Sequence, residues 1–440
     1  MDFLNVLLPE EIAREEKIGN FENSKKIIKE KLSEALPVLL KKRLEYEVER
    51  IERIIKDYPV DERIAKEMLS KLIKNFSDEE YDFLMQNGKL DYILIEGKKY
   101  FEKRFVQNLV FANESYADRY ESKRSSIGEL VNKRITELIE GDRPKRYSVI
   151  VEISVTLKKD LDAKRLKCWL PFPIVKSPIG SAKIIECDHE YRISSKTSES
   201  KTIYMEDVPK AGTKFTVKFR YTVHEQVKKI QPKIVRGTYM KKYLSEIPPH
   251  IVFSPYVKKL TYDILENEKN PYFKAKKIYD WITKNIKYSY MHAYSTYDTS
   301  LVEFAISNLK GDCGVQALTF ITMCRVAGIP SKWESGLFIN PVDASSHDWA
   351  YFYAKPYGWL PVDPSFGGSR KGKLREFYFG NLDAFRMIAN SDFMVDFEPS
   401  KLFIRSDPYD NQSGELETEK GNVYYDEFDT EVKVLSFDEC

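Results

Sequence analysis

No run of apolar residues in this chain approaches the roughly 20 that a membrane-spanning helix needs, and neither sign of charge prevails. Among 440 residues, 70 Lys and Arg stand against 68 Asp and Glu, a net charge of +2. No global field therefore draws the protein to nucleic acid or to a membrane surface. The five cysteines, at positions 168, 187, 313, 324 and 440, include no close pair and no Cys-x-x-Cys. A disulfide framework and the usual zinc spacings are thereby disfavoured. Internal repeats, low-complexity tracts and Gly-rich phosphate-cradling loops are also missing, which argues against nucleotide chemistry. No cofactor and no metal ion are expected. The start, from Met1 to Glu11, has neither a basic opening nor a small-residue cleavage site, so it does not read as a signal peptide. Together with the unpaired cysteines, this sets the expectation of a reducing cytoplasm, unless a leader has been removed.

What is present falls into four segments. Residues 1–145 read as helical: Leu40, Leu44, Val48, Ile51 and Ile55 make one apolar stripe with charges between them, in a bundle rather than a coiled coil. Gly141-Asp142-Arg143-Pro144 breaks that pattern, and from Arg146 the period becomes two. Tyr147, Val149, Val151, Ile153, Val155 and Leu157 line one strand face, and Phe215, Val217, Phe219, Tyr221 and Val223 line another. A β-sandwich over 146–245 fits this spacing. Residues 246–382 mix helix and strand patterns, and 383–440 read as an irregular extension packed on them. Within that extension, the oxygen-rich run from Asp407 to Glu415 lacks the ligand spacing of an EF-hand loop and is expected to be a solvated turn.

The chemistry concentrates in the third segment. Cys313 lies in Gly311-Asp312-Cys313-Gly314, where a Gly-rich turn gives way to an apolar, Pro-free stretch ending at Gly328 and Pro330. A thiol in the first turn of that helix faces free backbone N–H groups and the positive end of the helix dipole, which favour thiolate and can hold an oxyanion. Downstream, Trp349, Tyr351 and Tyr353 alternate along a strand that carries His347, and Trp359 to Asp363 make the returning strand. A turn centred on Lys355 would place Tyr351 opposite Trp359 and His347 opposite Asp363, with Cβ atoms about 5 Å apart. Nucleophile, base and orienting carboxylate, in that order, are the parts of a thiol enzyme. Asp348, next along the strand, is expected to point away from His347 and to take no part. Cys324, 11 residues beyond Cys313, is about 16 Å away along a straight helix and reads as packing.

These residues resemble the transglutaminase-like superfamily, a branch of the papain-like cysteine enzymes, of bacterial or archaeal multidomain type. The resemblance runs through Gly311-Asp312-Cys313-Gly314, Ala327-Gly328-Ile329-Pro330-Ser331-Lys332-Trp333, His347-Asp348-Trp349-Ala350 and Tyr357-Gly358-Trp359-Leu360-Pro361-Val362-Asp363-Pro364. A helix opening at Asn270-Pro271, with Ala275, Ile278, Trp281 and Ile282 as its stripe, fits the helix that leads to the Cys motif in the family. The resemblance implies an α+β fold, with a papain-like catalytic core over 246–382 preceded by all-α and β-sandwich domains. It implies Cys313 as nucleophile, His347 as general base and acid, and Asp363 as orienter. Two departures stand out. Asp348 occupies a position that is usually small. No side-chain oxyanion donor is evident either: Ser307 stands where papain-type enzymes carry Gln, and Gln316 lies too far into its helix, leaving the backbone N–H of Cys313.

The implied reaction is acyl transfer on an amide or peptide bond through a thioester. Water as acceptor makes a protease or amidase; a lysine amine makes a crosslinking transglutaminase. A non-catalytic binding module is the remaining alternative. Hydrolysis of a protein or peptide substrate is the leading expectation, since no calcium-site pattern of the animal transglutaminases occurs. The oligomeric state is not legible.

Overall fold

The computed structural model describes residues 2–121 and 127–440. The chain is α+β and divides into two compact units. One comprises residues 1–124, 247–250 and 287–312; the other comprises 125–246, 251–286 and 313–440. Among the described residues no helix is long and apolar enough to cross a membrane.

In the first unit the stripe read from Leu40 to Ile55 lies on the helix Val38–Asp57. Its Leu44 and Ile51 are fully buried against Ile12, Phe21 and Ile28 of the helices Glu10–Lys17 and Phe21–Leu32. A small antiparallel sheet accompanies the helices: Tyr92–Ile95 and Lys98–Phe101 form a hairpin, and Val60–Asp61 pairs with its second strand. Glu96 and Gly97 make the tight turn at positive φ, 48° and 76°, the twist that two-residue hairpins require.

The second unit holds two antiparallel sheets whose apolar faces meet. Arg146–Leu157 and Lys214–His224 pair in register, Val151 opposite Phe219 and Ile153 opposite Val217, and the odd positions read from the sequence are buried except Tyr147, which is half-buried. Across the interior, Phe172 packs on Phe219, and Cys187 of one sheet meets Met205 of the other. The last residues complete these sheets. Phe428–Glu439 pairs along Arg146–Leu157, and Glu415–Thr418 pairs with Leu166–Pro171. Glu415–Thr418 is buried on both faces and Phe428–Glu439 is a mostly exposed edge strand, so neither alternates cleanly between apolar and polar, which is why 383–440 reads as irregular.

Three helices and a third sheet of the same unit position the chemistry. We label them α1 (Pro271–Asn285), α2 (Cys313–Val326), β1 (Ser331–Ile339), β2 (Ala344–Ala354), β3 (Gly358–Val362), α3 (Pro364–Gly368) and β4 (Arg386–Asn390); the sheet order is β3-β2-β1-β4, all antiparallel. Asn270 caps α1 by accepting from the N–H groups of Tyr272 and Phe273, with Pro271 at the first helical position. The buried stripe of α1 is Ala275, Ile278, Tyr279 and Ile282. Trp281, expected on that stripe, is only half-buried and Tyr279 takes its place. Helix α2 is buried on every side from Gly314 to Arg325, and Cys324 is fully enclosed within it. Gly328, at φ 77°, ends that run as the sequence suggests.

Candidate active site

Cys313 is the first residue of α2 and is half-buried, so its thiol stands in the first helical turn. The first N–H groups of a helix have no partner within it, and those of α2 are oriented to stabilise negative charge there. The other four cysteines differ sharply. Burial pushes the Cys168 and Cys324 thiols far up and Cys187 up as well, while Cys440 is exposed at the end of the chain.

His347 and Asp363 come together, through a register that differs from the expected one. The β2–β3 hairpin pairs Tyr351 with Pro361, Tyr353 with Trp359 and Ala354 with Gly358, so it turns about Pro356 rather than Lys355. Moving the turn by one residue shifts the pairing by two, which keeps every side chain on its expected face. Asp363 therefore falls one step past the end of β3, diagonal to His347 on the same face, and its carboxylate reaches back. His347 Nε2 donates to Asp363 Oδ2 at 2.7 Å. Asp363 also caps α3, accepting from Phe366 N at 2.9 Å through Oδ1.

A carboxylate as buried as Asp363 (0% exposed) needs more than one partner. The second is Arg386, a residue the sequence reading missed. Its Nη2 donates to Asp363 Oδ2 at 2.5 Å, and its Nη1 bonds Asp383. The Arg386 guanidinium lies over the rings of Phe366 (4.7 Å) and Tyr378 (5.4 Å). Asp383 in turn accepts from Tyr378 Oη at 2.9 Å. Burial pushes the Asp363 carboxyl up; the positive charges of His347 and Arg386 and the hydrogen bonds outweigh it and hold Asp363 well below the usual carboxylate range. Since ionised Asp363 can only accept, the proton of neutral His347 sits on Nε2, and Nδ1 is the basic nitrogen.

Two glycines permit this assembly. Gly336, opposite His347 on β1, has φ 156°, and a Cβ there would lie 2.1 Å from the Met387 carbonyl oxygen. Its absence lets β4, which carries Arg386, close onto β1. Gly367 in α3 rests on α1: a Cβ would lie 1.9 Å from the Tyr279 hydroxyl, which donates to Arg375 O at 2.6 Å. Gly367→Ala should therefore displace α3 and the Asp363 cap, costing about 1–3 kcal/mol. Denaturant unfolding checks this. The cost is expected to be smaller in a Tyr279→Phe background, where the obstructing hydroxyl is gone; an equal cost in both backgrounds would contradict the contact.

Asp348 corrects the sequence reading. It does point away from His347, but the face it points to carries α2: Phe352, on the same face of β2, packs against Phe320 of α2 with ring centroids 6.2 Å apart. Asp348 thus meets the thiol, and Cys313 Sγ donates to Asp348 Oδ2 at 3.2 Å. Gln412 fixes the other side, its Nε2 donating to Asp348 Oδ1 and, at 3.1 Å, to His347 O. The thiol and the imidazole–carboxylate pair therefore address consecutive residues of one strand. Gln412 belongs to the run expected to be a solvated turn. Instead Tyr409, Asp410 and Asn411 are buried, because Asn411 bonds Trp169 O and Asn390, and Glu415 takes Lys401 and the N–H groups of Ser406 and Asp407. Among the described residues no group of three His, Cys, Asp or Glu side chains is arranged to hold a metal ion.

Of the oxyanion donors considered, Ser307 lies on the exposed side of the helix Leu301–Asn308. Gln316 is buried, with Oε1 aimed at Gly368 of α3, 3.8 Å from where a Cβ would stand.

Residues 258–364 match the family described as the transglutaminase-like superfamily. That span takes in α1, Cys313, His347 and Asp363. No curated protein matches the chain. Among solved structures, a candidate cysteine protease from Cytophaga hutchinsonii is similar at 16% identity and TM-score 0.41, covering 68% of this chain and 93% of its own. The periplasmic domain of TgpA from Pseudomonas aeruginosa is similar at 13% identity and TM-score 0.30, covering 55% of this chain and 94% of its own.

Proposed function

We propose that the protein, whose residues 258–364 match the transglutaminase-like superfamily, is a cysteine-dependent hydrolase of amide or peptide bonds, with Cys313 as nucleophile, His347 as base and acid, and Asp363 as orienter. The observation that carries this reading is the buried His347–Asp363 pair, at 2.7 Å, on the strand whose next residue holds the Cys313 sulfur.

The steps follow from the tautomer. Once the sulfur has turned from Asp348 toward the imidazole, His347 Nδ1 takes the proton of Cys313, and the sulfur attacks the substrate carbonyl. The backbone N–H groups at the start of α2 receive the oxyanion. As the C–N bond breaks, the imidazolium returns its proton to the leaving amine, and a thioester remains on Cys313. His347 then deprotonates a water that attacks the thioester, and the acid is released with the thiol restored. Asp363 stays ionised throughout, held so by Arg386, and stabilises the imidazolium without taking its proton.

A mixed peptide and glycopeptide library in water enriched in ¹⁸O, with and without an added primary amine, tests the acceptor. The proposal expects products carrying one new ¹⁸O in a fresh carboxyl group whether or not amine is present. Exclusive amine adducts would make the protein a crosslinking transglutaminase. No product would make it a binding module.

A further inference from the structure

We propose that Asp348 acts as a brake on Cys313: in the resting protein its carboxylate holds the thiol proton on sulfur, and the thiol must leave Asp348 before His347 can activate it. This rests on the reading of Cys313 as nucleophile. It goes beyond that reading by naming a residue that opposes the thiolate.

Three observations carry it. The contact itself has the right polarity, since an ionised carboxylate offers only acceptors and Cys313 Sγ–H is the donor, at 3.2 Å. The carboxylate is also built in place. Asp348 is 6% exposed, and Gln412 secures its second oxygen together with the carbonyl of His347. Finally, the charge is not placed for attraction. Behind Asp348 lie more carboxyls: Asp410, pushed upward by burial and by the charge of Asp348, and then Asp407, pushed upward by burial and by Asp410. A thiolate formed beside Asp348 would face the charge of that carboxylate, whereas the neutral thiol donates a hydrogen bond to it. The start of α2 favours negative sulfur, and Asp348 opposes it on the same atom.

Releasing the brake breaks the S–H···O hydrogen bond, after which the proton passes from sulfur to His347 Nδ1; no other bond changes and no co-reactant is needed. Asp348 is a positioning residue in this account, since it touches the nucleophile but takes no proton. Gln412, reaching β2 from the C-terminal strands, ties the setting of the brake to the completion of the β-sheets at the end of the chain.

The test reads the sulfur directly. Thiolate absorbance near 240 nm, taken as the difference between each protein and its Cys313→Ser counterpart, titrates Cys313 alone. Asp348→Asn should lower the midpoint by about one pH unit or more, so that thiolate at a fixed pH below both midpoints rises at least about tenfold. Asp348→Glu should keep the parent midpoint. Asp348→Ser, smaller and equally uncharged, should move the midpoint as Asn does and serves if the Asn variant does not fold. An unchanged or raised midpoint in the uncharged variants would overturn the brake. The thiol-enzyme reading fails separately, by an unchanged midpoint and unchanged turnover in His347→Ala, whatever Asp348 does.

Discussion

Replacing Cys313 by alanine should lower turnover by at least about 10⁴-fold while leaving the unfolding midpoint nearly unchanged. Loss of a nucleophile removes the covalent path altogether, and only binding and the oxyanion donors persist. The small stability cost follows from the position of the sulfur. It is half-buried at a helix start with its hydrogen bond to Asp348, and one such bond contributes roughly 1 kcal/mol. Cys324→Ala makes the contrast. That thiol is fully enclosed in the same helix, so its removal leaves a cavity and lowers stability with turnover retained. Steady-state kinetics on a substrate from the peptide library, beside denaturant unfolding, separates the two. Equal losses of turnover from both variants would indicate that Cys313 matters only through packing.

The second large effect is expected at Arg386, and it falls first on stability. Arg386→Ala leaves Asp363 and Asp383, both buried, without their shared cation, and breaking a buried ion pair from one side costs about 3–5 kcal/mol. The pH dependence has a definite sign. The Asp363 carboxyl is held below its unfolded value, so its stabilisation is present above an unfolded pKa of about 4 and is lost as pH falls below it. Without Arg386 the folded carboxyl titrates higher and less of that stabilisation exists to lose. The gap between parent and variant should therefore be widest near neutrality and narrow on acidification below about pH 4. Urea unfolding from pH 7 down to pH 3 measures it; a gap constant with pH would mean that Arg386 stabilises by packing on Phe366 and Tyr378 alone. Turnover should fall as well, because Asp363 can no longer hold His347 in one orientation.

The positions legible in the sequence were those with local signals. Cys313 stands between a Gly-rich turn and an apolar run, and the helix begins there. The odd faces of 147–157 and 215–223 show a strict period of two, and both strands are buried as that period implies. His347 and Asp363 share a face because the alternation survives a two-residue register shift, even though the turn lies at Pro356. Other features depend on partners far along the chain. Arg386 is one arginine among many until β4 pairs with β1, which Gly336 permits. Gln412 reaches β2 only because the residues after it join strands more than 200 positions earlier. Asp348 was misjudged for a different reason. Alternation correctly turned it away from His347, but one strand carries no information about which element covers its other face, and that element is the helix bearing the thiol. The hairpin turning at Glu96-Gly97 was missed for another reason: residues 1–145 read as helical throughout on the strength of their helical stripe, and the short strands of its sheet are only two to four residues long.

The central claim is that His347, oriented by Asp363, activates the Cys313 thiol. Its most direct test needs no substrate: the rate of carboxymethylation by iodoacetamide at neutral pH, followed by peptide mapping for each cysteine. The account predicts that Cys313, released from Asp348 in the Asp348→Asn variant, is modified faster than the exposed Cys440, that Cys168 and Cys324 stay unmodified in the folded protein, and that adding His347→Ala removes the Cys313 advantage. Modification of Cys313 no faster than Cys440, and unaffected by His347→Ala, would contradict it.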